Sequence, residues 1–227
     1  MSIIYAGDLH GRLKHFKALD TMARQMGITT IVQVGDFGVG FVPDCDVVEW
    51  FKNRDIYGPT WITCGGNHDN WPLWRQRPAV PLQGLVSGYT NEIAPGCFFA
   101  ERNSVIEIGG VRHLFFGGAE SIDRHRRTPG LDWWPEETPT YGDFTGFMAA
   151  LEEHGPEVVV THEAPLSVPL KKIARKASPT PKNLENVVKL SEHLPKRWYF
   201  GHHHITGRWN IGDTDFICTG VHGGFAT

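Results

Sequence analysis

Seven side chains of metal-ligating type stand where apolar runs end: Asp8 and His10, Asp36, Asn67, His162, and His202 with His204. Each lies beside a glycine or at a sharp turn, where a side chain can leave a sheet edge and the backbone can approach a ligand closely. Taken alone, each reads as a turn or capping residue, or as a hydrogen-bonded core histidine. Their clustering at corresponding places is what points to chemistry. Mixed carboxylate and imidazole donors suit Mn, Fe, Zn or Co rather than Ca or Mg, and the lack of thiolates at these places argues against a Cys-type zinc site. A shared Asp is the simplest way to hold two such cations about 3.5–4 Å apart, the separation of two-metal hydrolases that clamp a phosphoryl oxygen and activate a water. Phosphoester hydrolysis is the natural use of such a pair.

The elements that must position these residues follow from the hydrophobic pattern. Residues 2–6, 30–34 and 60–64 read as strands ending at Gly7-Asp8-Leu9-His10-Gly11, Gly35-Asp36-Phe37-Gly38 and Gly65-Gly66-Asn67-His68-Asp69. Between them, Leu13, Phe16, Leu19, Met22, Ala23 and Met26, and then Val47, Val48 and Phe51, recur at helical spacing. Alternating strand and helix implies parallel strands with right-handed crossovers, so the three polar turns share the carboxyl edge of one sheet, where α/β sheets place ligands. Residues 98–101, 104–108 and 111–116 read as an antiparallel meander, and 117–141 as a functional loop too long for a connector. Residues 143–153 are expected to be helical, 157–160 a strand ending at His162, and 165–182 a surface excursion. A helix over 184–194, a strand over 197–200 ending at His202, and a hairpin over 208–219 around Gly212-Asp213 complete the chain.

The bulk composition narrows the functional classes. With 227 residues, 41% hydrophobic and 21% charged, the chain suits one α/β domain over residues 1–227. A net charge of −3 argues against a protein that coats nucleic acid through basicity, so nucleic acid enters only as a substrate. The start lacks a secretory pattern and no apolar run is long enough to span a bilayer, so a cytoplasmic protein with no membrane contact is expected. Cys45, Cys64, Cys97 and Cys218 form no C-x-x-C pair and read as buried thiols.

Read together, Gly7-Asp8-x-His10, Gly35-Asp36, Gly66-Asn67-His68-Asp69, Val160-Thr161-His162 and Gly201-His202-x-His204 resemble the calcineurin-like metallophosphoesterase superfamily, in its small single-domain phosphodiesterase or phosphatase form. The resemblance spans nearly the whole chain and keeps the motif order. It implies a four-layer α/β/β/α sandwich and two divalent transition-metal ions, Mn favoured, with Fe, Zn, Co or Ni as alternatives. By the resemblance, Asp8, His10 and His204 hold the first metal, Asp36 bridges, and Asn67, His162 and His202 hold the second. His68 would sit just outside the metals, to protonate the leaving alkoxide or steady transition-state charge. Asp69 is expected to cap the next helix in preference to orienting His68. His203 would point away from its two neighbours, lying behind the ligands or at the surface.

Around this core the readings divide. In the loop Gly117 to Arg127, Arg124 is the favoured phosphate contact because it lies nearest the strand end, set against a solvated basic loop. Arg12 either reaches a phosphate or starts the first helix exposed. Trp133 and Trp134 either stack on a base or pack the loop onto the domain. The Lys171 to Lys176 stretch is read as a charged surface turn before a substrate lid. His15, His113, His125, His154, His193 and His222 match no family motif and are assigned to packing or surface. Protein Ser/Thr phosphatases of the superfamily carry Gly-Asp-x-Val-Asp-Arg-Gly and Gly-Asn-His-Glu, whereas this chain has Gly35-Asp36-Phe37-Gly38-Val39-Gly40 and His68-Asp69. That departure favours a phosphodiesterase acting on nucleotide-type or cyclic nucleotide esters over a phosphomonoesterase, Ser/Thr protein phosphatases included. A non-catalytic metal-binding scaffold subunit is the alternative of another class. The expected partner is a phosphate ester substrate, a nucleotide among the candidates, with no obligate protein partner evident.

Overall fold

The computed structural model describes residues 2–42, 45–55, 57–170, 178–221 and 224–226. The Lys171 to Lys176 segment and His222 lie outside the described residues. The strands β1 (Ile4–Ala6), β2 (Thr30–Gln33) and β3 (Thr60–Thr63) pair in parallel, with α1 (Leu13–Met26) and α2 (Val47–Asn53) between them in sequence. Their residues are almost uniformly buried, which explains why they read as unbroken apolar runs. Helix α1 buries Phe16, Leu19 and Ala23 and stops at Gly27, whose left-handed φ of 65° completes the terminus.

The next elements are α3 (Trp71–Arg75), β4 (Ala79–Val80), β5 (Leu85–Ser87), β6 (Thr90–Ala94), β7 (Cys97–Ala100), β8 (Ser104–Ile108) and β9 (Val111–Phe116). After them come α4 (Tyr141–His154), β10 (Val158–Thr161), α5 (Pro179–Leu190), β11 (Arg197–Phe200), β12 (Thr206–Ile211), β13 (Thr214–Thr219) and β14 (Gly224–Ala226). One sheet has the order β14-β1-β2-β3-β7-β6-β4 and the other β12-β13-β11-β10-β9-β8-β5. Their facing sides share a core that includes Tyr5, Val32, Ile62, Phe115, Val160 and Tyr199. Phe16, Phe51, Trp61 and Trp71 pack under α1 to α3 on one outer face. Phe116, Phe147, Leu184 and Trp198 pack under α4 and α5 on the other. Three apolar cores between four layers make the α/β/β/α sandwich.

The expected meander is divided between the two sheets. β7 joins β3 in parallel, whereas β8 and β9 form a hairpin in the opposite sheet. The crossing occurs at residues 101–103, where Asn103 takes a φ of 69° and Ser104 N bonds back to Glu101 O. Helix α5 begins earlier than expected, because Ser178-Pro179 starts it with proline in its first turn, and it ends at Leu190. Among the described residues no helix is long and apolar enough to cross a membrane.

Candidate metal centre and active site

Asp8 leaves β1 fully buried, its amide bonded to Gly220 O at 3.2 Å. Its carboxylate accepts from His202 N and lies 3.1 Å from His204 Nε2. His204 Nε2 is also 3.1 Å from His10 Nε2. The turn after β1 is fastened to the turn after β2, because Leu9 N and His10 N both donate to Asp36 O, at 3.0 and 2.9 Å. One donor atom each from Asp8, His10, Asp36 and His204 lies within 4.8 Å of all the others. The sheet edge of the sequence reading thus becomes a single polar focus.

A second group meets the opposite side of Asp36. His162 Nδ1 donates to Val34 O at 2.9 Å, which turns Nε2 toward Asp36 Oδ1 and Asn67 Oδ1, each at 3.2 Å. Asn67 is oriented by Nδ2 donation to Ser121 Oγ, which in turn bonds Glu137. The His202 ring packs edge-on to His162 with centroids 5.1 Å apart. A ring nitrogen that faces two acceptor oxygens needs a positive centre between them, and either a proton on Nε2 or a divalent cation meets that need. This donor chemistry fits the implied metal pair. Burial opposes charge on His162, yet the Asp36 carboxylate pulls its pKa up to about 10. Burial alone would raise Asp36, but the His162 and His68 imidazoles hold it well below the ordinary carboxylate range. Burial pushes His202 down to about 3, so its imidazole is neutral.

His68 stands between these groups and solvent. Its Nδ1 lies 3.2 Å from Asp36 Oδ2 and its backbone N donates to Asp36 Oδ1 at 2.7 Å. Its Nε2 meets Arg127 Nη2 at 2.6 Å, in a cleft of ≈ 230 Å³ lined by Asp36, Asn67, His68, Asp123, Arg127 and His202, among others. Burial works against charge on His68, but Asp36 carries its pKa above the ordinary value. Arg124, the favoured phosphate contact of the sequence reading, is exposed and stacks its guanidinium on Trp133 at 4.5 Å. Arg12 is also exposed, at the start of α1, outside the cleft-lining set. The cleft arginine is Arg127 instead. A short helical turn over Arg124–Arg126 folds the chain back, and Asp123 clamps Arg127 at 2.8 Å. The Asp123 and Arg127 pair, four apart in sequence, was the available signal.

Asp69 caps no helix; Asn70 does, accepting from Leu73 N at 3.0 Å. The Asp69 carboxylate accepts from Phe37 N, Gly38 N and Gly66 N at 3.2, 2.7 and 2.7 Å, binding the second and third turns into one unit. Burial, then the Asp36 charge, push its pKa up to about 7. Gly66 is required beside it, since an added Cβ would lie 2.2 Å from Asp36 Oδ1. His203 is buried, with Nε2 2.6 Å from Glu163 Oε1, while Glu163 Oε2 lies 3.8 Å from His202 Nε2. Trp134 packs inward beside Phe41, and Trp133 stays half-buried under Arg124.

The profile of the calcineurin-like phosphoesterase family matches residues 1–206. No curated protein sequence matches the chain. Among solved structures, protein TT1561 of Thermus thermophilus superposes with a TM-score of 0.63 at 12% identity, over 97% of this chain and 89% of that one. A putative 5′-nucleotidase from Staphylococcus aureus gives 0.53 at 15% identity, over 98% of this chain and 49% of that one. GAP50, the anchor in the inner membrane complex of Plasmodium, gives 0.52 at 12%, over 97% and 71%. These likenesses show a shared fold.

Proposed function

The chain belongs to the calcineurin-like phosphoesterase family, and on that premise we propose that it is a two-metal phosphoesterase that prefers diesters of nucleotide or cyclic nucleotide type. The observation that carries this reading is Asp36, which offers Oδ1 toward His162 and Oδ2 toward His10 and His68. Asp8, His10 and His204 would hold one cation and Asn67, His162 and His202 the other, with Asp36 serving both. When bound, such a pair supplies Lewis acidity to phosphoryl oxygens and lowers the pKa of water. His68, steadied at Nδ1 by Asp36, keeps Nε2 on the cleft side to hand a proton to the leaving oxygen. Asp69 holds the turns that carry Asp36 and Asn67, so both donors arrive without reorganisation.

The diester preference rests on charge. Arg127 brings one guanidinium to the cleft and Asp123 offsets part of its charge, so this wall meets one anionic oxygen better than the two negative charges of a monoester. A monoanionic diester suits it better. Ile122, 73% exposed on the same wall, offers apolar surface to the organic part of the ester. The test is Mn-dependent hydrolysis of bis-p-nitrophenyl phosphate beside p-nitrophenyl phosphate, with EDTA controls. Faster diester turnover supports the proposal and faster monoester turnover overturns the preference. Silence on both esters and on 2′,3′-cyclic nucleotides would replace the enzyme with a metal-binding scaffold.

A further inference from the structure

Arg127 is held more firmly than a solvated loop arginine. Its side chain is only 7% exposed, and Asp123 Oδ1 pairs with Nη2 at 2.8 Å. Nη1 donates to Asn67 O at 3.1 Å and to Asp132 O at 3.5 Å, and the guanidinium carbon lies 5.4 Å from the Phe41 ring centroid. One further contact of Nη2 goes to His68 Nε2 at 2.6 Å, so the imidazole accepts there with its lone pair. Nδ1 then carries the ring proton and faces Asp36 Oδ2 at 3.2 Å. Three of the four hydrogen-bonding partners are carboxylate or carbonyl oxygens that fix the guanidinium plane. His68 is the one partner whose own proposed role requires it to let go, because Nε2 cannot accept from Arg127 and donate to a leaving oxygen at once.

We propose that Arg127 is the substrate-anchoring residue of this site, whose Nη2 exchanges its His68 partner for a non-bridging oxygen of the bound phosphoryl group. The inference rests on the phosphoesterase reading and adds the anionic contact that neither Arg12 nor Arg124 makes. The exchange conserves hydrogen bonds. Arg127 trades a neutral acceptor for an anionic one, which adds the attraction of opposite charges to the bond that the guanidinium donates. The same movement uncovers the His68 Nε2 lone pair on the ester's side, where it takes up a proton from solvent before donating it to the leaving oxygen. The resting pair therefore keeps the guanidinium oriented, and substrate separates the two groups. A lysine at this position would keep the charge while losing the fork that reaches Asn67, Asp132 and Asp123 together.

The experiment compares wild type, Arg127→Met and Arg127→Lys, each loaded with Mn and checked for metal content and thermal midpoint. Inorganic phosphate binding is measured by titration calorimetry, beside kcat and KM for bis-p-nitrophenyl phosphate. Arg127→Met is expected to weaken phosphate binding and raise KM by roughly ten- to hundredfold at unchanged metal content, with Arg127→Lys recovering only part. Phosphate affinity and KM within twofold of wild type in a folded, metal-loaded Arg127→Met would overturn the proposal. Should Arg127→Met not fold, Arg127→Lys decides by the same measures, full wild-type affinity counting against the fork. A wild type that hydrolyses no ester yet binds phosphate through Arg127 would keep the anchoring role and sink the phosphoesterase reading. An active wild type indifferent to both substitutions would do the reverse.

Discussion

His113 should make the protein acid-labile over a defined range, independently of the metal site. It lies on β9 in the core between the sheets, fully buried. Its Nδ1 donates to Val111 O at 2.9 Å and its Nε2 accepts from Tyr5 Oη at 2.7 Å, while the Tyr5 ring stacks on Tyr199 at 3.6 Å. Burial pushes the His113 pKa down to about 4 from the ordinary 6.5. Below pH 6.5 the unfolded chain takes up a proton that the folded chain refuses, so stability falls as pH drops from 6.5 and the loss is complete below about 4. A displacement of this size is worth about 3 kcal/mol. Urea denaturation of wild type and His113→Gln in EDTA, from pH 7 to pH 4, isolates the effect, because carboxylate contributions are common to both. The wild type should lose about 3 kcal/mol more than the variant between the two ends. Parallel profiles would refute the reasoning and mean that His113 is protonated in place.

Other substitutions separate the roles within the site. Asp36→Ala should lose bound Mn, read by elemental analysis of dialysed protein, since both donor groups converge on that carboxylate; a fully active Asp36→Ala variant would sink the two-metal hypothesis. His68→Ala should retain metal while kcat falls by about 10²–10⁴-fold, the range for a lost general acid. Asp69→Ala should cost about 2–5 kcal/mol in urea denaturation, because the Phe37, Gly38 and Gly66 amides lose their shared acceptor; a change under about 0.5 kcal/mol would mean that the turns hold without it.

Where burial acts evenly on an element, the sequence displays it. The strands β1, β2, β3, β10 and β11 are nearly all buried, so each is a short apolar run that stops at a polar turn. Helix α1 shows its three-and-four spacing because only one stripe faces the sheet. β4 and β5 are short and partly exposed, and carry no comparable pattern. β7 has the composition of its neighbours, but which sheet it joins is decided by a turn at Asn103 that spacing does not encode. Arg127 and Asp69 escaped for a related reason. Distance along the loop hides the helical turn that brings Arg127 back, and the helix start beside Asp69 hides that its partners lie in two separate turns.

Backbone strain accounts for the sharpest contrast. Among the described residues, the non-glycine residues with positive φ are His10, Asp36, Asn103, His202 and His204, at 48°, 56°, 69°, 64° and 55°. All but Asn103 are proposed ligands. A left-handed backbone costs an ordinary L-residue about 1–2 kcal/mol, and local preference would place glycine at such positions. Glycines do stand next to them, at Gly11, Gly35 and Gly201, but the donors themselves occupy the strained places. Folding alone gives little reason to keep a histidine there in preference to glycine, whereas the approach of His10, Asp36 and His204 from three turns to within 4.8 Å of one another does. The proposed ligand role thus gives a physical reason for left-handed backbone at positions where the sequence offers only residue type.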